Sequence, residues 1–310
     1  MVNKNSKIYI AGHKGMVGSS CRRILLENGY NNLIYVDSKK LDLRDQIQVK
    51  NFFKKYKPNV VINAAARVGG IHANSIYPYQ FLLDNLQIQN NLIQNSFENN
   101  VEKFIFLGSS CIYPKFSKQP IKEEYLLSGE LEPTNQWYAL AKISGLKLIE
   151  ALNIQYNLDY VSLMPTNLYG PNDNFDLDTS HVLPAMIRKF HEAKIKNQDV
   201  HLWGSGTPRR EFLYVDDLAL AVLFFLNKKN KNQIYNIGFG NDITINELAL
   251  KIQNLIGHNG KILWDRTKPD GTPRKLISSD KAIKEGWSPK VSLDKGIQKT
   301  YKWFLNNYSE

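Results

Sequence analysis

Residues 7–29 read KIYIAGHKGMVGSSCRRILLENG. A short apolar run, a glycine turn and an amphipathic stretch follow one another there, and that order decides the fold. The run at 7–11 has the length and β-branched character of a buried strand. From residue 17 the apolar side chains recur at helical spacing. Between them Gly12, Gly15 and Gly18 follow the spacing GxxGxxG. Glycines at a strand-to-helix turn permit a tight bend, close approach of backbone to a pyrophosphate, and close packing of helix on strand. The helix N-terminus would present free amides and the positive end of its dipole to phosphates. The strand before and the helix after are the context that separates a dinucleotide-binding turn from an ordinary glycine-rich loop. His13, Lys14, Met16 and Val17, threaded between the glycines, join them as candidate cofactor contacts.

The alternation continues outward. Strands are predicted at 7–11, 33–36, 59–63, 103–107 and 159–163, with helices at 17–28, 45–56, 79–99 and 137–156. Strands alternating with helices predict an α/β fold: a Rossmann-type, doubly wound parallel sheet. From about residue 167 the chain is richer in Asn, Asp, Pro and Gly, with helices near 182–195, 216–227 and 244–256. A smaller, interrupted C-terminal substrate lobe over the strand ends is expected. The nucleotide-binding domain would take residues 1–166 and about 210–235, and the lobe 167–209 and about 236–310.

The string YALAK places Tyr138 and Lys142 one helical turn apart, downstream of a GSSC box at 108–111. Both side chains then share a helix face. An ammonium beside a phenol favours phenolate and pulls the tyrosine down from about 10. Ser109 or Ser110 could hold a carbonyl oxygen by hydrogen bond. That trio suits hydride chemistry at a ketone. The Tyr–Lys spacing alone is common by chance, and it gains weight from the glycine turn upstream.

After the second strand comes VDSKKLDL. Asp37 lies about 20 residues beyond the glycine turn, where an acid can hold an adenosine ribose diol and favour NAD. Lys39 and Lys40 could instead neutralise a 2′-phosphate and favour NADP. Asp42 is a candidate for the adenine edge. The third strand ends in Asn63 followed by Ala64, Ala65 and Ala66, small residues of the kind that close cofactor passage requires.

Bulk properties exclude several classes. The 310 residues are 43% hydrophobic and 22% charged, ample for one large core or two smaller ones. The opening MVNKNSKIYIAG carries no apolar signal segment, and LALAVLFFL at 218–226 is too short to span a bilayer. Two cysteines, Cys21 and Cys111, imply no disulfide framework, and a cytoplasmic, reducing location is expected. The net charge of +11 comes from scattered lysines, the densest group being Lys228, Lys229 and Lys231 in a polar stretch read as a solvated loop. Nucleic acid is not expected; attraction of polyanionic small molecules is. His13, His72, His191, His201 and His258 show no ligand spacing with Cys or acid clusters, so no metal is expected.

Together these features resemble the extended short-chain dehydrogenase/reductase family. The strings AGHKGMVGS, VGGIHAN, FLGSSCIYPK, LEPTNQWYALAK, MPTNLYGPNDNF, SHVLPA, LWGSGTPRREFL and KPDGTPRKL carry the resemblance from about residue 7 to 305. They resemble the members of that family that act on GDP-sugars. The resemblance implies an NADP(H)-dependent, two-stage reaction on GDP-4-keto-6-deoxy-D-mannose: epimerisation at carbons 3 and 5, then reduction at carbon 4, giving GDP-L-fucose. It implies Ser109, Tyr138 and Lys142 as the reductase trio, and Cys111 and His181 as the acid/base pair of epimerisation. It implies Leu107, Gly108, Ser109, Ser110, Pro165, Thr166, Asn167, Leu168 and His181 at the cofactor, and Lys189, Trp203 and Arg210 at the GDP-sugar. A homodimer is implied as well. The sequence departs from the family in two places. Ser278 stands where an aspartate contacts substrate, and no arginine for a 2′-phosphate is evident after the second strand, where Lys39 or Lys40 could replace it. A 4,6-dehydratase is disfavoured, because Ser-Cys-Ile-Tyr at 110–113 lacks the carboxylates elimination needs. A 4-epimerase would leave Cys111 and His181 without a task. A non-catalytic dinucleotide sensor or nucleic-acid binder would tolerate Tyr138→Phe.

Overall fold

The computed structural model describes residues 2–229 and 234–308, so Lys231 of the basic cluster lies outside the described residues. In chain order the first half forms β1 (Ile8–Ala11), α1 (Met16–Glu27), β2 (Leu33–Ile34), α2 (Gln46–Tyr56), β3 (Val60–Asn63), α3 (Ile71–Ile76), α4 (Pro78–Glu98), β4 (Lys103–Leu107), α5 (Gln136–Tyr156) and β5 (Val161–Pro165). The second half adds β6 (Asn167–Tyr169), α6 (Val182–Lys196), β7 (Val200–Trp203), β8 (Arg209–Tyr214), α7 (Val215–Leu226), β9 (Ile234–Ile237), β10 (Asp242–Thr244), α8 (Ile245–Ile256), β11 (Ile262–Asp265), β12 (Arg274–Lys275), α9 (Asp280–Lys284) and α10 (Leu293–Tyr308).

Six strands form one sheet in the order β2-β1-β3-β4-β5-β9, every neighbouring pair parallel. Period-two alternation sends Ile8 and Ile10 to one face, with α1 and α7, and Tyr9 and Ala11 to the other, with α2, α4 and α5. Both faces are covered, which is why these strands read as continuous apolar runs. The chain steps outward from β1 to β2, then crosses back to β3 on the other side of β1. That reversal opens a crevice over the C-terminal ends of β1 and β3, where such sheets bind ligands.

β2 stops at Ile34, short of the expected 36. The backbone turns away beyond it: Asp37 accepts a hydrogen bond from its own segment, Lys39 N at 2.9 Å, and its carbonyl accepts from Lys40 N at 2.8 Å. A third apolar cluster gathers α6, α8 and α10 around β7 and β8, with Phe190, Leu248, Ile252 and Phe304 at its centre. Here β8 pairs with β6, β10 and β12, and β7 pairs with β11. The buried Glu211 on β8 accepts from Gly240 N at 2.7 Å and Ile277 N at 3.2 Å, tying the two parts of the chain together. No helix among the described residues is long and apolar enough to cross a membrane.

Candidate active site

The glycine turn is tight for internal reasons. Gly12 has φ +80°, and an added Cβ would lie 2.8 Å from both Ala64 O and Ala65 N. A Cβ on Gly18 would stand 2.1 Å from Gly12 O, so helix and turn touch there. Gly15 caps α1 in extended conformation, and its added Cβ would make ordinary contact, 3.5 Å from Gly12 O. Two of the three glycines are thus required by the fold itself, and the third leaves the helix N-terminus uncovered for an anion. Asn63, at the end of β3, is buried, and neither of its amide atoms has a hydrogen-bond partner. Orphaned polar atoms beside a turn that backbone alone lines suit a polar, elongated ligand such as a dinucleotide.

At the end of β2 Lys14 is ion-paired with Asp37, whose carboxyl is held at about 2 by that hydrogen bond and by the amide of Lys39. Lys39 and Lys40 are exposed. The Asp42 carboxylate is engaged by Arg44 at 2.8 Å rather than left open towards an adenine edge, and Arg44 continues to Asp84 at 3.5 Å. His13 packs on Tyr35 with ring centroids 5.1 Å apart.

Chemistry-bearing side chains converge where β4 ends. A single 3-10 turn, Ser110–Ile112, follows it, and Ser109 Oγ accepts from Cys111 N at 3.1 Å. Ser109 also hydrogen-bonds Tyr138 from α5. Lys142, buried, donates from Nζ to Leu107 O at 2.9 Å and sits 5.7 Å from the Tyr138 ring centroid. The expectation that Lys142 draws the tyrosine down does not hold in this arrangement. Burial pushes Tyr138 up, with Cys111 adding to the rise and Ser109 opposing it, and burial takes Lys142 itself down to about 8. Desolvation outweighs the ion–dipole attraction because the ammonium points at the carbonyl and not at the phenol. Tyr138 is therefore a protonated donor at neutral pH.

Cys111 Sγ lies 3.4 Å from Asn135 Nδ2 and 3.6 Å from Lys275 Nζ. His181 stands exposed at the N-cap position of α6 without a side-chain cap bond, its ring pushed down by desolvation and then by the charge of Lys275. Lys275 thus touches the thiol, and its charge acts on the imidazole. The segment leading to His181 is clamped from the loop after β3: Gly70 N donates to Thr179 O at 3.1 Å, and a Cβ on Gly70 would meet Ser180 O at 2.6 Å. Arg210 sits opposite Lys275 in the β8–β12 register, and its Nη2 donates to Asp270 O at 3.2 Å. Burial lowers Arg210, and Cys111, Asp270 and Glu132 oppose the shift.

Lys189 and Trp203 meet apart from this cluster. Lys189 Nζ lies 5.7 Å from the Trp203 ring, Lys268 Nζ lies 5.4 Å from it, and His72 meets it edge-on at 6.0 Å. Thr166 and Asn167 bind Glu211 O at 3.3 and 2.7 Å, fixing the junction between β5 and β6. Ser278 is buried, and its hydroxyl accepts at 3.3 Å from the amide of Asp280, the first residue of α9. Residue-type reasoning had not singled out Asn135, Lys275, Gly70, His72 or Lys268. All five lie inside the quoted strings LEPTNQWYALAK, KPDGTPRKL and VGGIHAN; what was missing was the spatial meeting of those strings. Among the described residues no group of three or more His, Cys, Asp or Glu could hold a metal ion.

Comparison with known proteins shows the family and the fold. The model of the NAD dependent epimerase/dehydratase family matches residues 8–238. GDP-L-fucose synthase 1 of Arabidopsis thaliana is 54% identical over 99% of this chain and 95% of the relative. The crystal structure of a GDP-6-OMe-4-keto-L-xylo-heptose reductase from C. jejuni superposes with TM-score 0.93 at 38% identity, covering 98% of this chain and 99% of that one. A GDP-L-fucose synthetase from Naegleria fowleri bound to NADP gives 0.91 at 30% identity, covering 99% and 95%. By the reversal of its sheet, its glycine turn and this near full-length likeness, the chain belongs to the NAD dependent epimerase/dehydratase family, within the extended short-chain dehydrogenases/reductases.

Proposed function

We propose that this protein is an NADP(H)-dependent epimerase and reductase that converts GDP-4-keto-6-deoxy-D-mannose to GDP-L-fucose. The observation that carries the reading is the meeting of Ser109, Tyr138 and Cys111 at the end of β4, where Lys275 Nζ lies 3.6 Å from the thiol and its charge also acts on His181. A ketone at carbon 4 acidifies the hydrogens on carbons 3 and 5. Ser109 and Tyr138 hold the carbonyl oxygen and stabilise the enolate that forms when either proton leaves. Inversion needs removal from one face of the ring and return to the other. Cys111 serves as base and His181 as acid, a thiol and an imidazole being able to exchange protons near neutrality. NADPH supplies the hydride that reduces carbon 4. Tyr138 then gives its proton to the carbon-4 oxygen, while Lys142 holds the nicotinamide ribose. The glycine turn, Ala64, Ala65 and residues 165–168 line the cofactor. Arg210 takes the diphosphate, and Lys189 and Trp203 the remainder of the GDP-sugar. We assign residues 1–166 and about 210–235 to the cofactor domain and the rest to the substrate lobe, and the whole to a cytoplasmic homodimer.

Incubation with GDP-4-keto-6-deoxymannose and NADPH in heavy water tests the reading. GDP-fucose is expected, with solvent deuterium at carbons 3 and 5. Oxidation of NADPH without deuterium at either carbon would leave a simple 4-reductase and overturn the epimerase half.

A further inference from the structure

The segment after β2 lacks an arginine, but a neighbouring helix brings one to it. Arg22 projects from α1, its guanidinium carbon 4.5 Å from the Tyr35 ring centroid and its Nη2 donating to the Tyr35 hydroxyl at 3.3 Å. Its Nε is buried without a hydrogen-bond partner. The next residue, Arg23, is neutralised by Glu27 and Asp216, whereas among the described residues the Arg22 guanidinium hydrogen-bonds a phenol. His13 also packs on Tyr35, and the next residue, Lys14, is bound to Asp37. Desolvation first, and then the charges of Lys14 and Arg22, push His13 down and that of Asp37 pushes it up, so all four groups share one electrostatic neighbourhood. The positive charges of Lys14 and Arg22 near His13 outnumber the single Asp37 carboxylate.

We propose that Arg22, together with Lys14, holds the 2′-phosphate of NADP(H), and that Asp37 is the internal counter-ion that the phosphate displaces from Lys14. The inference rests on NADP(H) as the cofactor and not on the identity of the sugar. Stacking on Tyr35 fixes the guanidinium plane, and a fork of N–H donors matches phosphate oxygens better than a point charge does. A dianion competes well against one carboxylate for the same ammonium. A cofactor without the phosphate leaves the Lys14–Asp37 pair closed. This resolves the conflict between an NAD-type acid and NADP-type bases in one short segment. Lys39 and Lys40 then stay exposed to solvent, Lys39 contributing its backbone amide and its charge to Asp37.

Calorimetric titration with NADPH, NADH and the fragment 2′,5′-ADP tests it without any sugar. Arg22→Met keeps the aliphatic stem, and it is expected to weaken NADPH and 2′,5′-ADP by about tenfold or more while NADH changes less than about twofold. Asp37→Asn is expected to tighten 2′,5′-ADP by about threefold or more, since the ammonium is freed. Equal weakening of NADPH and NADH by Arg22→Met would show a structural role and overturn the assignment. So would unchanged binding of 2′,5′-ADP, or a loss carried by Lys39→Met or Lys40→Met instead. If Arg22→Met does not fold, Asp37→Asn at its surface turn still decides: unchanged or weaker binding of 2′,5′-ADP refutes the counter-ion. Because these titrations omit the GDP-sugar, their failure is distinguishable from failure of the epimerase–reductase reading.

Discussion

Single residues show both what sequence can say and where it stops. Gly12 and Gly18 are legible because their lack of a side chain is the property the turn uses. Tyr138 and Lys142 are legible as a pair, since four residues is one helical turn. Their electrostatics were not, because spacing carries no information on burial or on which carbonyl an ammonium meets. The sign of that miss has a measurable consequence. Burial lowers Lys142 from 10.5 to about 8, so between those values the unfolded chain binds more protons than the folded one. Stability contributed at this site therefore rises with pH across that window, and below about pH 8 the whole penalty is present. Lys142→Met removes it, at the loss of one bond to Leu107 O. The variant is expected to be more stable than the parent by about 1–3 kcal/mol at pH 7, converging with it towards pH 10.5. Urea denaturation of both proteins at pH 7 and pH 10 measures this. Equal stability at pH 7 would mean that the ammonium is compensated by groups other than that carbonyl.

At the scale of elements, the long and periodic ones were legible and the short ones were not. β1, α1, α4 and α5 follow from apolar period and length, and their bounds fall within about two residues of expectation. β6, β10 and β12 have two or three residues each and take their conformation from β8, which lies up to several dozen residues away in sequence. No local pattern marks such strands. The C-terminal α10 was also passed over, although its Ile297 and Phe304 are buried in the third cluster. α8 anchors that cluster, and its start carries a reciprocal cap: Thr244 Oγ1 accepts from Glu247 N at 3.0 Å, and Glu247 accepts from Thr244 N at 2.8 Å. Thr244→Ala is expected to cost about 1 kcal/mol, read as a lower urea midpoint with an unchanged slope. Hydrogen exchange should quicken in the first turn of α8 and not in the six-stranded sheet. Protection lost evenly over both regions would show that the cap is not a local device.

At the scale of the whole molecule, the same spacing logic reaches the surface. α4 and α5 pack against each other on one face of the large sheet. The outward side of α5 leaves Leu140, Leu148 and Ile154 exposed, at 38%, 37% and 67%. Apolar side chains on the outer face of a long helix are unpartnered in a monomer and would be covered if two copies met helix to helix. Pairing α4 and α5 with their own copies in a second chain puts four long helices together, a surface large enough for about 800 Å² per partner. It also leaves the glycine turn and the Cys111 cluster, which lie at the strand ends, clear of the contact. The proposed homodimer is therefore expected to show twice the chain mass by light scattering. Leu148→Glu with Ile154→Glu should shift it to the monomer mass, since each buried copy of the pair would place two carboxylates against apolar surface. NADPH binding should persist in that monomer, because the crevice over β1 and β3 belongs to one chain. A wild-type protein that runs at monomer mass at micromolar concentration would refute the pairing, and a variant that stays dimeric would move the contact to another face.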